Sequence, residues 1–230
     1  MPHKLKAFTL MELLVVISIM ALILAMLLPA LSPARESGRR AKCASNQRQL
    51  VMALTAYADF NKGFFLSTSR AGAGSTATDH VSWVHKDTFE YFYEEINQEL
   101  TVFTCPNRGA EFVLKSGNRY RIGYYFFFGR NESIWNHGGL EPWKSARRID
   151  DSAGLEIIGD IIEEATVTPA ISSASHGSRG RVTGAASLTP QMLGSQGGNI
   201  VFSDMSVRFR TQADMFRRAA SSGQVVKGYW

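Results

Sequence analysis

Cys43, Cys105, five histidines and a single carboxylate inside an apolar run, Glu12, are the side chains of this 230-residue sequence with the most chemistry to offer. Two cysteines cannot complete a tetrahedral zinc sphere by themselves. His80, His85, His137 and His176 stand at no ligand spacing to them, so no metal and no cofactor are expected. Asp160, Glu163 and Glu164 are acidic enough for a cation, but neighbouring residues of a strand point to opposite faces, which argues against one shared site. Gly72-Ala73-Gly74-Ser75-Thr76 lacks the lysine of a phosphate loop, and neither G-x-S-x-G nor H-E-x-x-H occurs. The expected class is therefore non-enzymatic. Arg119–Arg130 (RYRIGYYFFFGR) interleaves basic and aromatic residues as nucleic-acid binders do, yet it fits no RNA-binding pattern and reads better as a buried strand. The pI of 9.3 permits contact with nucleic acid without indicating it.

Glu12 is the anomaly that organises the rest. From Phe8 to Ala34 it is the one charged residue, whereas Arg35, Arg39, Arg40, Lys42 and Arg48 follow closely. Phe8 to Leu31, about 24 residues, would make a helix of roughly 36 Å, enough to cross a hydrocarbon core of about 30 Å. The run is longer than the apolar region of a cleaved secretory signal, and a helix apolar on every face is uncommon inside a soluble domain of this size. A carboxylate in such a place costs on the order of 2–3 kcal/mol unless it is compensated. No Lys, Arg or His lies within two turns on its C-terminal side, so a compensating charge must come from another chain or from the chain's own amino end.

Lys4, Lys6 and Ala7, followed by Phe8-Thr9-Leu10-Met11-Glu12-Leu13-Leu14-Val15-Val16-Ile17, resemble the prepilin processing signal of type IV pilins and type II secretion pseudopilins. The resemblance implies cleavage by a membrane prepilin peptidase between Ala7 and Phe8, methylation of the new amino group on Phe8, and a glutamate at the fifth mature position, where Glu12 stands. It also implies a role for Glu12 in neutralising the N-terminal ammonium of a neighbouring subunit during assembly. Pro29 occupies the place of the helix-loosening proline of pilins. Ala7 departs from the glycine usual before the cut. The basic run after the span favours, by the positive-inside rule alone, the orientation opposite to the one implied by a leader in the cytoplasm.

After Pro33, residues Cys43, Leu50, Ala53, Leu54 and Tyr57 recur at helical spacing, and Gly63 offers a stop, so the helix is expected to run from about Thr9 to about Asn61. Its basic face reads as solvated, with anionic lipid or acidic neighbouring subunits as the alternative. The Arg39–Leu50 stretch, Tyr57 with Asp59–Gly63, and Phe103-Thr104-Cys105-Pro106 resemble large pseudopilin-like proteins of planctomycetes, in which paired cysteines recur in these surroundings. In an extracytoplasmic domain Cys43 and Cys105 are expected to form a disulfide, worth about 4 kcal/mol for a loop of this length. Such proteins often close with a His, nine residues, then Asp-Gly. Here Gly197-Gly198-Asn199-Ile200-Val201-Phe202-Ser203-Asp204-Met205 keeps the frame, but Gly194 stands at the His position and Met205 at the Gly position. His176 is a candidate for the displaced His, and Asp204 reads as a turn residue.

Arg119–Gly129, Leu155–Ile162 and Gly198–Arg210 carry the residues of strands. Ala165–Gly198 lacks any acidic residue and reads as a flexible insertion, and Asp214–Ala220 as a short helix. The expected fold is α+β, a long N-terminal helix on a small antiparallel sheet. It divides into a leader (1–7), a transmembrane and assembly helix (8–31), its amphipathic continuation (32–62) and an extracytoplasmic globular domain (63–230). Losing Lys4 and Lys6 with the leader lowers the formal net charge from +5 to +3. The implied function is that of a structural subunit of a type II secretion or type IV pilus-like filament. The implied partners are other pilin subunits of the same or different kinds, a prepilin peptidase, an assembly platform and ATPase, and inner-membrane lipid. The alternative is a membrane-anchored periplasmic binding or adhesion protein that does not polymerise.

Overall fold

A computed structural model describes residues 8–68, 80–108, 113–130, 139–151, 154–165, 170–184, 187–221 and 226–230. The leader, including Ala7, lies outside them. The architecture is α+β: a long helix followed by a shorter one and antiparallel sheets.

Helix α1 (Leu10–Phe60) passes uninterrupted through Pro29 and Pro33. Each proline removes one intrahelical N–H, yet both are tolerated where flanking Leu, Met and Ala favour the helix. The helix closes where its apolar stripe ends. Lys62 takes a left-handed φ of 56°, and the Gly63 N–H turns back to the Ala58 carbonyl at 2.8 Å, the six-to-one bond of a Schellman cap.

The chain forms two compact units, Met1–Gly38 and Arg39–Trp230, with the boundary inside α1 rather than after it at 62/63. In the first unit Leu10–Pro29 is long and apolar enough to cross a membrane, and every residue of it is exposed. In the second, α1 buries Cys43, Asn46, Gln47, Leu50, Val51, Ala53, Leu54 and Ala58 and exposes Lys42, Arg48, Gln49 and Met52. Arg35, Arg39, Lys42 and Arg48 are thus a solvated face, whereas Arg40 lies over the Phe209 ring at 4.4 Å.

Past the helix come β1 (Trp83–His85), α2 (Lys86–Glu95), β2 (Leu114–Ser116), β3 (Arg119–Arg121) and β4 (Tyr124–Phe126). Next are β5 (Glu156–Asp160), β6 (Ile162–Ala165), β7 (Ala170–Ala174), β8 (His176–Gly177), β9 (Arg181–Gly184), β10 (Ser195–Phe202), β11 (Val207–Thr211), β12 (Arg217–Ala219) and β13 (Val226–Tyr229). The described strands form three antiparallel sheets instead of one: β1-β3-β2, β11-β10-β5-β4 with β8 on β10, and β12-β13-β6-β7-β9. The chain crosses between the two larger sheets at Ile161, between β5 and β6.

Residues 124–128 explain why the aromatic run is structural. Tyr124, Phe126 and Phe128 point to the core shared with α1 and α2, while Tyr125 and Phe127 point to a second core with Trp143 and Trp230. All five are fully buried, so none is presented to a nucleic-acid base.

Three expectations are corrected. Within 165–198 the small residues of Ala170–Ala174 and Arg181–Gly184 form the strands β7 and β9. The small uncharged residues Ala170, Ser172, Ser173 and Ala174 are buried there. Asp214–Ala220 is not a helix: a single 3-10 turn ends at Asp214, and the chain enters β12 because it pairs with β13. Helix α2 was not expected. Its four aromatics bury Phe89 and Phe92 on one side, and the mixed charges between them mask the helical period.

Candidate functional site

The sequence singles out two regions: the start of α1 and the surroundings of the cysteines. At the first, Thr9 is the residue before the helix and Glu12 the third within it. The Glu12 N–H donates to Thr9 Oγ1 at 3.2 Å, while Glu12 Oε2 accepts from the Thr9 N–H and the Thr9 hydroxyl, both at 2.8 Å. This is a reciprocal capping box, and a carboxylate in the first turn also faces the positive end of the helix dipole. Glu12 therefore has neutral donors within its own chain. Phe8 is exposed just before this cap, and Pro29 is exposed at the far end of the apolar stretch.

The second region is a buried centre assembled from four parts of the chain. Cys43 comes from α1, Cys105 from the loop before β2, Asp160 from the end of β5 and His176 from β8. Their sulfur, oxygen and nitrogen atoms all lie within 4.8 Å of one another, and all four side chains are buried. Cys43 Sγ donates to Asp160 Oδ1 at 3.0 Å, His176 Nε2 lies 3.0 Å from Asp160 Oδ2, and Cys105 Sγ lies 3.7 Å from His176 Nε2. Tyr124 Oη is 3.4 Å from Cys43 Sγ.

The surrounding sequence folds so as to hold these groups. Asn46 donates its amide to the carbonyls of Thr101 and Thr104, at 3.0 and 3.2 Å, which ties the Cys105 loop to α1. Gly123 lets that loop approach, since a Cβ there would sit 2.6 Å from the Thr104 Cα. Gly198 clears room for the carboxylate, because its Cβ would lie 2.9 Å from the Asp160 Cβ. Asp160 Oδ2 accepts from the Asn199 N–H at 2.7 Å and the Asn199 amide at 3.1 Å, and Oδ1 accepts from Gln47 Nε2 at 3.1 Å. Asn107 holds the Ser175 carbonyl at 2.8 Å and reaches His176 Nδ1 at 3.3 Å.

Burial pushes the Cys43 thiol well above its ordinary range. Burial also opposes ionisation of Cys105, but hydrogen bonds from Cys43 and His176 outweigh it and draw that thiol down to about 7. For His176, burial disfavours the cation, and Asp160 with Cys105 overcomes this and lifts it to about 11. These neighbours thus favour opposite charges on Cys105 and His176.

Two expectations about the cysteines change. The structure brings Cys43 and Cys105 together, but as free thiols rather than as a disulfide. No ligand spacing to the cysteines is visible in the sequence, yet the fold sets the side chains of His176 and Asp160 beside them. Ligand-spacing rules describe local loops, and this set is made by tertiary pairing.

The C-terminal frame is also clarified. His176 pairs with Gly197 across the β8–β10 ladder and Gly177 with Ser195, which sets His176 beside the Gly-Gly-Asn run. Gly194, at the vacated position, is a left-handed turn residue with φ 64°. Asp204 accepts from the Ser206 N–H at 3.0 Å, and the Ser206 bonds hold its carboxyl below the usual range, as a turn aspartate requires. Met205 takes a left-handed φ of 62°, a conformation that favours glycine.

Glu163 and Glu164 serve separate faces, as strand alternation requires. Glu163 faces Arg121 at 3.2 Å, His80 at 3.8 Å and Arg108 at 4.0 Å, whereas Glu164 faces Arg217, Lys227 and the Tyr229 hydroxyl.

Residues 3–28 match the model of the prokaryotic N-terminal methylation motif. Residues 32–94 match the model of a family described as a protein of unknown function, DUF1559. Phe8 and Glu12 fall within the first match, and Cys43, Asn46 and Gln47 within the second. No curated protein and no solved structure matches the chain.

Proposed function

From a chain that carries the N-terminal methylation motif of type IV pilin-like proteins and a domain typical of planctomycete pseudopilin-like proteins, we propose a structural, non-enzymatic subunit of a type II secretion or type IV pilus-like filament. A prepilin peptidase cuts between Ala7 and Phe8, and the new amino group of Phe8 is methylated. Leu10–Pro29 holds the subunit in the inner membrane as a single pass, with the unit from Arg39 onward outside the cytoplasm. An assembly platform and its ATPase then draw the apolar helices of successive subunits, of the same or different kinds, into one core.

The observation that carries this reading is the exposure of the whole Leu10–Pro29 surface together with a single carboxylate at its start. A helix apolar on all sides must be covered by lipid or by other helices. Lipid covers it before assembly, and neighbouring helices do so afterwards. Packing there excludes water, so the ammonium on Phe8 of one subunit needs an anion, and Glu12 of its neighbour is placed within one turn of the corresponding end.

The capping box favours a second reading, a membrane-anchored binding or adhesion protein that never polymerises, because Glu12 already has donors in its own chain. The Glu12→Ala variant separates the two. Removing one partner of a desolvated ion pair costs about 3 kcal/mol, so assembled material should fall roughly 100-fold. Membrane retention and the folded far-ultraviolet spectrum should stay unchanged. Quantifying subunit in sheared filaments, with the membrane fraction as reference, checks this. Undiminished assembly would support the anchor.

A further inference from the structure

We propose that Cys43, Cys105, Asp160 and His176 form a closed four-ligand site for a zinc-class divalent ion, which joins α1 and the Cys105 loop to the sheet that carries β5 and β8. The inference stands on the geometry of the centre and is independent of filament formation. Two sulfurs, one imidazole and one carboxylate are a complete tetrahedral set of the kind that selects zinc, and octahedral ions such as magnesium or calcium would find too few oxygens. With ordinary zinc–ligand lengths, a tetrahedron of these atoms has edges of about 3.3–3.8 Å. The four ligand atoms lie within 4.8 Å of one another, so each edge adjusts by no more than about 1.5 Å.

The outer shell has the form that metal ligands require. Gln47 and the Asn199 backbone and amide orient Asp160. Tyr124 approaches Cys43 Sγ, and Asn107 meets His176 Nδ1, leaving Nε2 turned toward the cluster. The Asn107 amide nitrogen, tied to the Ser175 carbonyl, fixes the ring orientation that aims Nε2 at the cluster. In the bound state both sulfurs are thiolates and His176 is neutral, so three anionic ligands meet a double positive charge. The site has no open position: all four ligating residues are fully buried, which marks a structural ion rather than a catalytic one. A disulfide between the cysteines would leave His176 and Asp160 with no role in holding the sulfurs.

The test uses the full chain purified from membranes in detergent without chelator. Elemental analysis should find one zinc per chain, and titration after denaturation in the absence of reductant should find both thiols free. Replacing zinc by cobalt(II) alone should give sulfur-to-cobalt charge-transfer absorption and the strong visible bands of a tetrahedral ion. Asp160→Asn, which keeps the shape of the side chain, should weaken zinc binding by at least about 10-fold. The cobalt spectrum of the unaltered chain needs no folded variant. A chain that takes up no stoichiometric zinc, a mass lower by the two hydrogens of a disulfide, or bound cobalt without sulfur bands would each overturn the proposal.

Discussion

Trp230→Ala lowers the stability of the Arg39–Trp230 unit by about 3–5 kcal/mol, the range for deleting a large aromatic from a packed core. Trp230 is fully buried, stacks on Phe127 with ring centres 4.5 Å apart, and meets Tyr125 and Trp143 edge-on at 5.5 and 5.9 Å. Its backbone exchanges two hydrogen bonds with Phe216, at 3.0 and 3.2 Å, so β12 and β13 are closed by the same residue that fills the second core. For a unit of this size the loss corresponds to a fall in Tm on the order of 10 °C. Trp230→Phe is the control. The Trp230 indole N–H is buried without a hydrogen-bond partner among the described residues, so phenylalanine forfeits volume but no hydrogen bond and should cost less than about 2 kcal/mol. Thermal or denaturant unfolding of both variants checks this, and equal costs would show that aromatic volume is not what Trp230 supplies.

Glu163→Gln acts through charge and has an effect of similar size. Its carboxylate is buried between Arg121, Arg108 and His80, and Arg108 is itself buried and bonded to the Ser173 hydroxyl. Burial raises the Glu163 pKa, but the nearby cations outweigh it and hold the carboxyl below its ordinary value of 4.5. Neutralising it leaves Arg108 and Arg121 to repel one another in a site closed to solvent, at a cost of about 3–5 kcal/mol near neutral pH. Because the folded pKa is the lower one, the stabilisation is fully present above 4.5 and is lost as pH falls through the folded value. The difference between the parent and Glu163→Gln should therefore be greatest at neutral pH and shrink below about 4.5. A difference that grows on acidification would contradict this account of the ion cluster.

The long helix and the strand-forming runs were legible in the sequence because their signals are local: unbroken apolar residues, helical spacing at Cys43, Leu50 and Leu54, and dense β-branched and aromatic residues at 119–129 and 198–210. Helix α2 was hidden because Phe89, Tyr91, Phe92 and Tyr93 sit among charges. The strands of 170–184 were hidden because small residues pack as readily in loops as under a neighbouring sheet. At the candidate site, Asn46, Gln47, Gly198 and Asn199 lay inside recognisable motifs, but Asn46 holds the Cys105 loop and the other three position Asp160, which lay in none. His176 could be suspected from the broken C-terminal frame. That it meets both cysteines follows only from the β8–β10 pairing and from the chain turning at Ile161.

Capping of Glu12 by Thr9 changes the meaning of the N-terminal motif. Glu12 is a helix-starting residue, and in the proposed filament it is also the anion offered to a neighbour, with Thr9 holding it until that neighbour arrives. This dual use requires that Phe8 become the first residue. Amino-terminal sequencing and intact mass of the mature protein from its native membrane test that requirement most directly. The account predicts a chain beginning at a methylated Phe8, lighter by the residues Met1–Ala7; a chain beginning at Met1, or after a site near Ala34, would contradict it.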